Sequence, residues 1–119
     1  MTIKRIHTGS PFEEKIGYCR AVVAGGFVHV AGTVGQGDTV TEQCRSALEV
    51  IGKALAEAGS SFADAVRVTY YLPDAAEFEA CWPILSGTFG DNPPVATMIE
   101  CNLIDPKYRI EIELTTLAP

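Results

Sequence analysis

The chain has little with which to hold a metal ion: two histidines and four cysteines in 119 residues. Cys19, Cys44, Cys81 and Cys101 lie far apart and form no Cys-x-x-Cys pair, so the common zinc spacings are excluded. A zinc site is therefore not expected. A nucleophilic cysteine would want a histidine beside it, and no motif joins one to His7 or His29. No apolar run approaches the roughly 20 residues of a membrane span. Basic residues are also scarce, 9 against 15 acidic ones, for a net charge of -6. Phosphate neutralisation needs clustered Lys and Arg, so a duplex nucleic-acid surface is excluded, though a small anion held locally is not. The first residues, Met-Thr-Ile-Lys-Arg-Ile-His, lack the apolar centre of a signal peptide. A cytoplasmic protein with reduced thiols is expected, the cysteines serving as small buried hydrophobes.

What remains is the composition of a globular protein, 47% hydrophobic and 20% charged, with enough length for one domain over residues 1–119. No linker, low-complexity tract or tandem repeat interrupts it. Ile3 to His7 suggests a short strand, and Ser10 to Lys15 a loop. Tyr18 to Val23 and Phe27 to Ala31 are β-rich runs around the turn Ala24-Gly25-Gly26. Gly32 to Asp38 reads as a glycine-rich loop, and no Gly-Lys-Ser/Thr follows to make it a phosphate loop. Thr39-Val40-Thr41-Glu42 is a capping box opening a helix. Cys44, Leu48, Ile51, Leu55 and Ala58 give that helix one apolar stripe, and Gly59 stops it.

Val66 to Leu72 alternates as a strand and Pro73 ends it. Asp74 to Glu77 is a second capping box, opening a helix toward Phe89 that Pro83 should break or kink. Pro94 to Glu100 and Tyr108 to Leu114 are the closing strands. In the last, Arg109, Glu111, Glu113 and Thr115 share one face, and Ile110, Ile112 and Leu114 the other. The order is β-β-β-α-β-α-β-β: an α+β fold with a mixed sheet of about six strands and two helices on one face. The other sheet face is left bare. Neighbouring subunits are its simplest cover, which predicts a homo-oligomer.

Several segments, in order, resemble the Rid family, also called YjgF or L-PSP type. They are Gly17-Tyr18-Cys19-Arg20-Ala21-Val22, Phe27-Val28-His29-Val30-Ala31-Gly32-Thr33, and Val66 to Leu72 with Asp74 and Phe78. Phe89-Gly90 with Pro94, and Ile110-Glu111-Ile112-Glu113, complete the set. The resemblance implies a chorismate-mutase-like fold and a homotrimer whose sheets form a central barrel, with small-molecule clefts between subunits. It implies hydrolysis of 2-imino or enamino acids to 2-keto acids and ammonia, without metal or organic cofactor. In that chemistry a guanidinium holds the substrate carboxylate, a carboxylate orients water, and a tyrosine and backbone groups line the pocket.

Carried over residue by residue, Glu113 takes the place of the water-orienting carboxylate and Tyr18 that of the pocket tyrosine. Gly32 is the loop glycine, with Thr33 beside it and Ala31 where a serine is common. The family's arginine stands two residues after a proline. Counted from Pro94 that position is Ala96; counted from Pro93 it is Val95. Thr97 follows Ala96, and Met98 stands where a cysteine is often found. Trp82 occupies a position near the cleft where a smaller polar residue is common. Arg20 and Arg109 are candidate replacement guanidiniums, each also readable as an ordinary charge.

Glu113 could equally be a solvated strand residue, Tyr18 a core or interface ring, and His29 a structural one. Two functions stay open. One is a deaminase or related hydrolase with altered substrate choice. The other is a non-catalytic trimer that binds a small metabolite or a partner. An endoribonuclease or translation inhibitor, other labels in the family, finds no support in the acidic charge.

Overall fold

The structure is a computed structural model that describes residues 2–119. Six strands form one sheet in the order β1-β2-β3-β6-β4-β5. They are β1 (Lys4–Ile6), β2 (Ala21–Ala24), β3 (Phe27–Val34), β4 (Ala65–Leu72), β5 (Val95–Glu100) and β6 (Glu111–Leu117). Three helices accompany them: α1 (Pro11–Ile16), α2 (Val40–Glu57) and α3 (Trp82–Phe89). The expected order holds once α1 is inserted, and the sheet is mixed as expected. Strands β4 and β5 are parallel and the other pairs antiparallel.

The core lies between the sheet and α2 and α3. Cys44, Leu48, Ile51 and Leu55 of the α2 stripe pack with Val68, Tyr70 and Leu72 of β4 and Ile112 and Leu114 of β6. Thr39 caps α2 by accepting from the Glu42 amide, and its hydroxyl donates to the Glu42 carboxylate (2.9 Å). Gly35 sits where an added Cβ would overlap the α2 backbone at Gln43 and Ala47, so only glycine lets strand and helix approach there. Among the described residues, α2 and α3 leave the opposite sheet face uncovered. The molecule is a slab of about 42 × 37 × 19 Å.

Five local expectations are corrected. Residues 10–16 are a capped helical turn, not a loop. Ser10 accepts from the Phe12 amide (3.3 Å), Pro11 opens the helix and Gly17 (φ 90°) closes it; at 6 residues it is too short to show a stripe. Tyr18 to Arg20 precede β2. Gly32 to Val34 continue β3 through a bulge between Val30 and Thr33 instead of forming a loop. The second capping box opens two 3-10 turns, Ala75–Glu77 and Glu79–Cys81, and the helix proper begins at Trp82. Pro83 therefore lies in the first turn of α3, where its missing N–H costs nothing. Finally, β6 begins at Glu111, and Arg109 turns away before it.

The cysteines divide. Cys44, on the inner face of α2, and Cys81 are buried side by side, whereas Cys19 is half-buried and Cys101 exposed, so only two behave as core hydrophobes. Among the described residues no helix is long and apolar enough to cross a membrane.

Candidate functional site

The bulge in β3 builds the site. A bulge leaves backbone groups without strand partners, and here side chains take them. The Thr33 hydroxyl donates to the Ala31 carbonyl (2.8 Å). Arg20 Nη1 donates to the Gly32 carbonyl (2.9 Å) and to Thr33 Oγ1 (2.9 Å). Its Nη2 donates to the Tyr18 hydroxyl (3.2 Å), and the guanidinium carbon lies 5.4 Å from the centre of the Tyr18 ring. Arg20 is only 7% exposed, and its Nε is enclosed without a hydrogen-bond partner. The backbone fixes this placement: Arg20 N–H donates to the Ile6 carbonyl, and the Arg20 carbonyl accepts from the Ala31 amide.

A cavity of about 960 Å³ opens beside this cluster. Its wall includes Tyr18, Arg20, Gly32, Thr33 and Glu111, and also Phe12, Ile16, Ile104 and Tyr108. Glu57 and Asp105 also line the cavity, but Glu111 is the carboxylate of this wall that stands beside the cluster. Its carboxyl group occupies the space that a side chain at residue 32 would need, so Gly32 makes room for it. Burial, and then the nearby Glu113 charge, push the Glu111 pKa above the ordinary carboxylate value, with Arg20 opposing them. No hydrogen bond reaches the Glu111 carboxyl among the described residues. It is thus a half-buried carboxylate facing a cavity, able to hold or pass a proton.

Glu113 lies two residues along the same face, outside that wall, and accepts a hydrogen bond from the Tyr71 hydroxyl. Of the residues the sequence put forward, Tyr18, Gly32, Thr33 and Arg20 come together at the cavity. Arg109 does not join them. Its Nε donates to both Glu77 carboxylate oxygens (3.0 and 3.1 Å), and the pair is bridged again through Nη2. Ala96, Thr97 and Met98 lie on β5 at the sheet edge, separated from β3 by β6 and β4. Ala96 and Thr97 are exposed, and Met98 packs against the core. Trp82 is 53% exposed and meets Phe78 edge to face at 6.4 Å. His29 faces away from the core, 3.5 Å from the Thr115 hydroxyl.

Two contributors escaped the sequence. Glu111 was visible as one of two glutamates on a polar strand face, and the resemblance gave the water-orienting role to its neighbour Glu113. Gln43 gave no signal at all. Buried at 3% exposure in α2, it donates to the Gly37 and Lys107 carbonyls (3.1 and 3.0 Å) and accepts from the Arg109 amide (2.8 Å). It thereby ties to α2 the 104–109 loop that forms a cavity wall. Among the described residues no group of three or more His, Cys, Asp or Glu could hold a metal ion.

Comparison with known proteins places this arrangement. A family model described as endoribonuclease L-PSP matches residues 9–118. The chain belongs to this YjgF/L-PSP family. A solved structure of a YjgF-family member from Mycobacterium tuberculosis superposes with a TM-score of 0.95 at 38% identity, covering 98% of this chain and all of that one. A RutC family protein of Pyrococcus abyssi is 32% identical over 105 residues, 81% of this chain and 82% of the other. A human protein named 2-iminobutanoate/2-iminopropanoate deaminase is 26% identical over 124 residues, 97% of this chain and 90% of its own. The fold is that of the family, with the sheet open.

Proposed function

We propose that the protein is a cofactor-free hydrolase of the deaminase type, a homotrimer that acts on a small imine or enamine at clefts between subunits. The observation that carries this reading is Glu111: half-buried, free of hydrogen-bond partners, and set against Gly32 in a cavity shared with Tyr18. Hydrolysis of an imine needs a water aimed at the carbon and a proton delivered to the departing nitrogen. A carboxyl group whose pKa is raised toward the working pH suits both tasks. In this reading Glu111 orients the water and Tyr18 holds the substrate. Glu113 supports Tyr71.

The spread of the remaining residues favours an assembly. In a single chain Ala96, Thr97, Met98 and Trp82 stand away from the Tyr18 cavity, so a site using both sets needs a second copy. The bare sheet face offers the surface, with Phe27, Val95, Ile99 and Leu117 each more than a third exposed. Cytoplasmic residence belongs to the same proposal, since the exposed thiol of Cys101 persists in a reducing compartment.

The test generates imines in place with amino-acid and amine oxidases and traps them with semicarbazide. The protein should hasten carbonyl formation for at least one substrate. Glu111→Ala should lower that effect by about 100-fold, on the scale of general acid–base catalysis, and Glu113→Ala by much less. No acceleration across the panel would sink the catalytic reading.

The second reading is a non-catalytic trimer that binds a metabolite. Ala96 favours it, because it stands at the position that resemblance gives to an arginine. Such a protein would still show a ligand-dependent rise in Tm. The endoribonuclease reading ranks last, since a net charge of -6 gives it no electrostatic footing.

A further inference from the structure

The cavity wall combines two chemically different sets of residues, and together they restrict what fits. In the polar set Arg20 is the only guanidinium in the wall, and it is already committed. Holding a carboxylate takes a presented pair of N–H groups. Both Nη1 hydrogens are engaged, by Gly32 O and Thr33 Oγ1, and one Nη2 hydrogen faces the Tyr18 oxygen. The Nε–H is sealed from the cavity, so a single Nη2 hydrogen is left and no pair is presented. Releasing the fork would also strip the β3 bulge of its partners. A carboxylate beside Arg20 would also sit beside Glu111, with Glu113 close behind, adding negative charge where it is poorly screened. The lysines of the wall offer little remedy. Lys53 is 78% exposed and lies 3.6 Å from the Glu49 carboxylate, and Lys107 stands over the Tyr108 ring.

Tyr18 points the same way. Its oxygen accepts from Arg20, and a guanidinium can accept nothing in return, so the phenolic hydrogen is left for another partner. Tyr18 therefore offers one donor to an acceptor such as a carbonyl or imine, and the crowding of carboxylates beside it makes a neutral acceptor the better fit. The wall also carries large apolar side chains that are open to solvent. Phe12, Ile16 and Ile104 are 54%, 59% and 71% exposed, and all three border this one cavity. Large apolar side chains grouped around a polar pocket mark a binding surface more often than chance exposure does.

We infer that the cavity takes a molecule with a neutral acceptor head against Tyr18 and Glu111 and an apolar arm along Phe12, Ile16 and Ile104. The class is a carbonyl or imine compound with an aliphatic or aromatic arm and no carboxylate on the reacting carbon. This rests on the same cavity as the proposed deaminase function and narrows its substrate.

Four stable ketones separate the two requirements: 4-phenylbutan-2-one, butanone, 2-oxo-4-phenylbutanoate and 2-oxobutanoate. Binding of each to the whole protein is measured by calorimetry at neutral pH. The long neutral ketone should bind about tenfold or more tighter than each of the others, the scale set by burying one aromatic arm. Replacing Phe12 and Ile104 together by Ala should narrow the gap between long and short ketones to about twofold. Glu111→Gln should improve binding of the two oxo acids and leave the aromatic preference in place.

Equal or tighter binding of the oxo acids by the native protein overturns the inference, as does equal binding of long and short ketones, or no binding at all. A changed oligomeric mass in the double variant, with ketone affinity unmoved, also overturns it, because the apolar patch is then a contact between copies. Imine hydrolysis is scored separately. Catalysis with an oxo-acid preference defeats this ligand class and keeps the deaminase reading; the expected ketone ranking without catalysis does the reverse.

Discussion

The two faces of β6 obey different rules. On one face Ile112, Leu114 and Thr116 are at most 3% exposed, pressed against the helices. There the neighbours are interchangeable in kind, and what counts is apolar volume. On the other face Glu111, Glu113 and Thr115 are each only partly covered. There a shift of two residues changes everything: Glu113 meets the Tyr71 hydroxyl, and Glu111 meets a glycine and a cavity. The inner face holds the sheet to its helices. The outer face uses that fixed register to give two chemically identical side chains different surroundings.

The sharpest way to break the comparison is to damage the inner face. Ile112→Ala should cost about 2–5 kcal/mol, as expected for a fully buried aliphatic side chain, read by urea denaturation. Gln43→Leu should come next, at about 1–3 kcal/mol, because it leaves carbonyls of Gly37 and Lys107 and the Arg109 amide without their partner. It should also speed hydrogen exchange in residues 104–109. If Gln43→Leu left that loop as protected as before, Gln43 would be a core residue and no support for the cavity wall.

Ile110, Ile112 and Leu114 were legible because alternation is written in the chain itself, and Thr39 because a cap is a local event. The resemblance singled out Glu113, but the strand pattern by itself could not tell Glu111 from Glu113. They share residue type, strand and face; Tyr71 stands opposite Glu111 in the register, and only the side-chain packing turns its hydroxyl to Glu113 and sets Glu111 against Gly32. Arg20 was misleading for a related reason. An arginine between Cys19 and Ala21 looks like a surface charge until the bulge carbonyls that hold it are known. The short α1 was missed because one capped turn carries no periodicity, although Ser10 and Pro11 were the signal. Long-range contacts decided each of these places except the last.

On the outer face the expected effects are smaller and depend on pH. Glu111 titrates above its ordinary value of 4.5 because burial and Glu113 disfavour its charge. The native state therefore holds that proton more tightly than the unfolded chain does. Stability from this group is present below the ordinary value and is lost as pH rises through the raised one. Glu111→Gln should abolish that loss, making the variant more stable than wild type at neutral pH while removing activity. A variant less stable than wild type would mean that the charge is supported and not merely tolerated.

Tyr71 gives the smallest effect and the cleanest contrast. Its hydrogen bond to Glu113, with burial adding to it, pushes the phenol pKa up to about 12. The bond favours the protonated phenol, so its stabilising contribution is complete below pH 10 and is lost as pH rises from there to about 12. Tyr71→Phe should cost about 0.5–1.5 kcal/mol at neutral pH, the net value of one such bond. Spectroscopic titration at high pH should show Tyr71 ionising late. Burial also raises Tyr70, so two of the four tyrosines should lag, and Glu113→Gln should bring one of them forward. That variant should keep most of its activity, because the carboxylate it removes is bonded to Tyr71 and lies outside the cavity wall. If Glu113→Gln instead abolished activity while Glu111→Gln did not, the roles of the two glutamates would have to be exchanged. The Tyr71 bond would then be the means by which Glu113 is positioned, and not the reason it is unavailable.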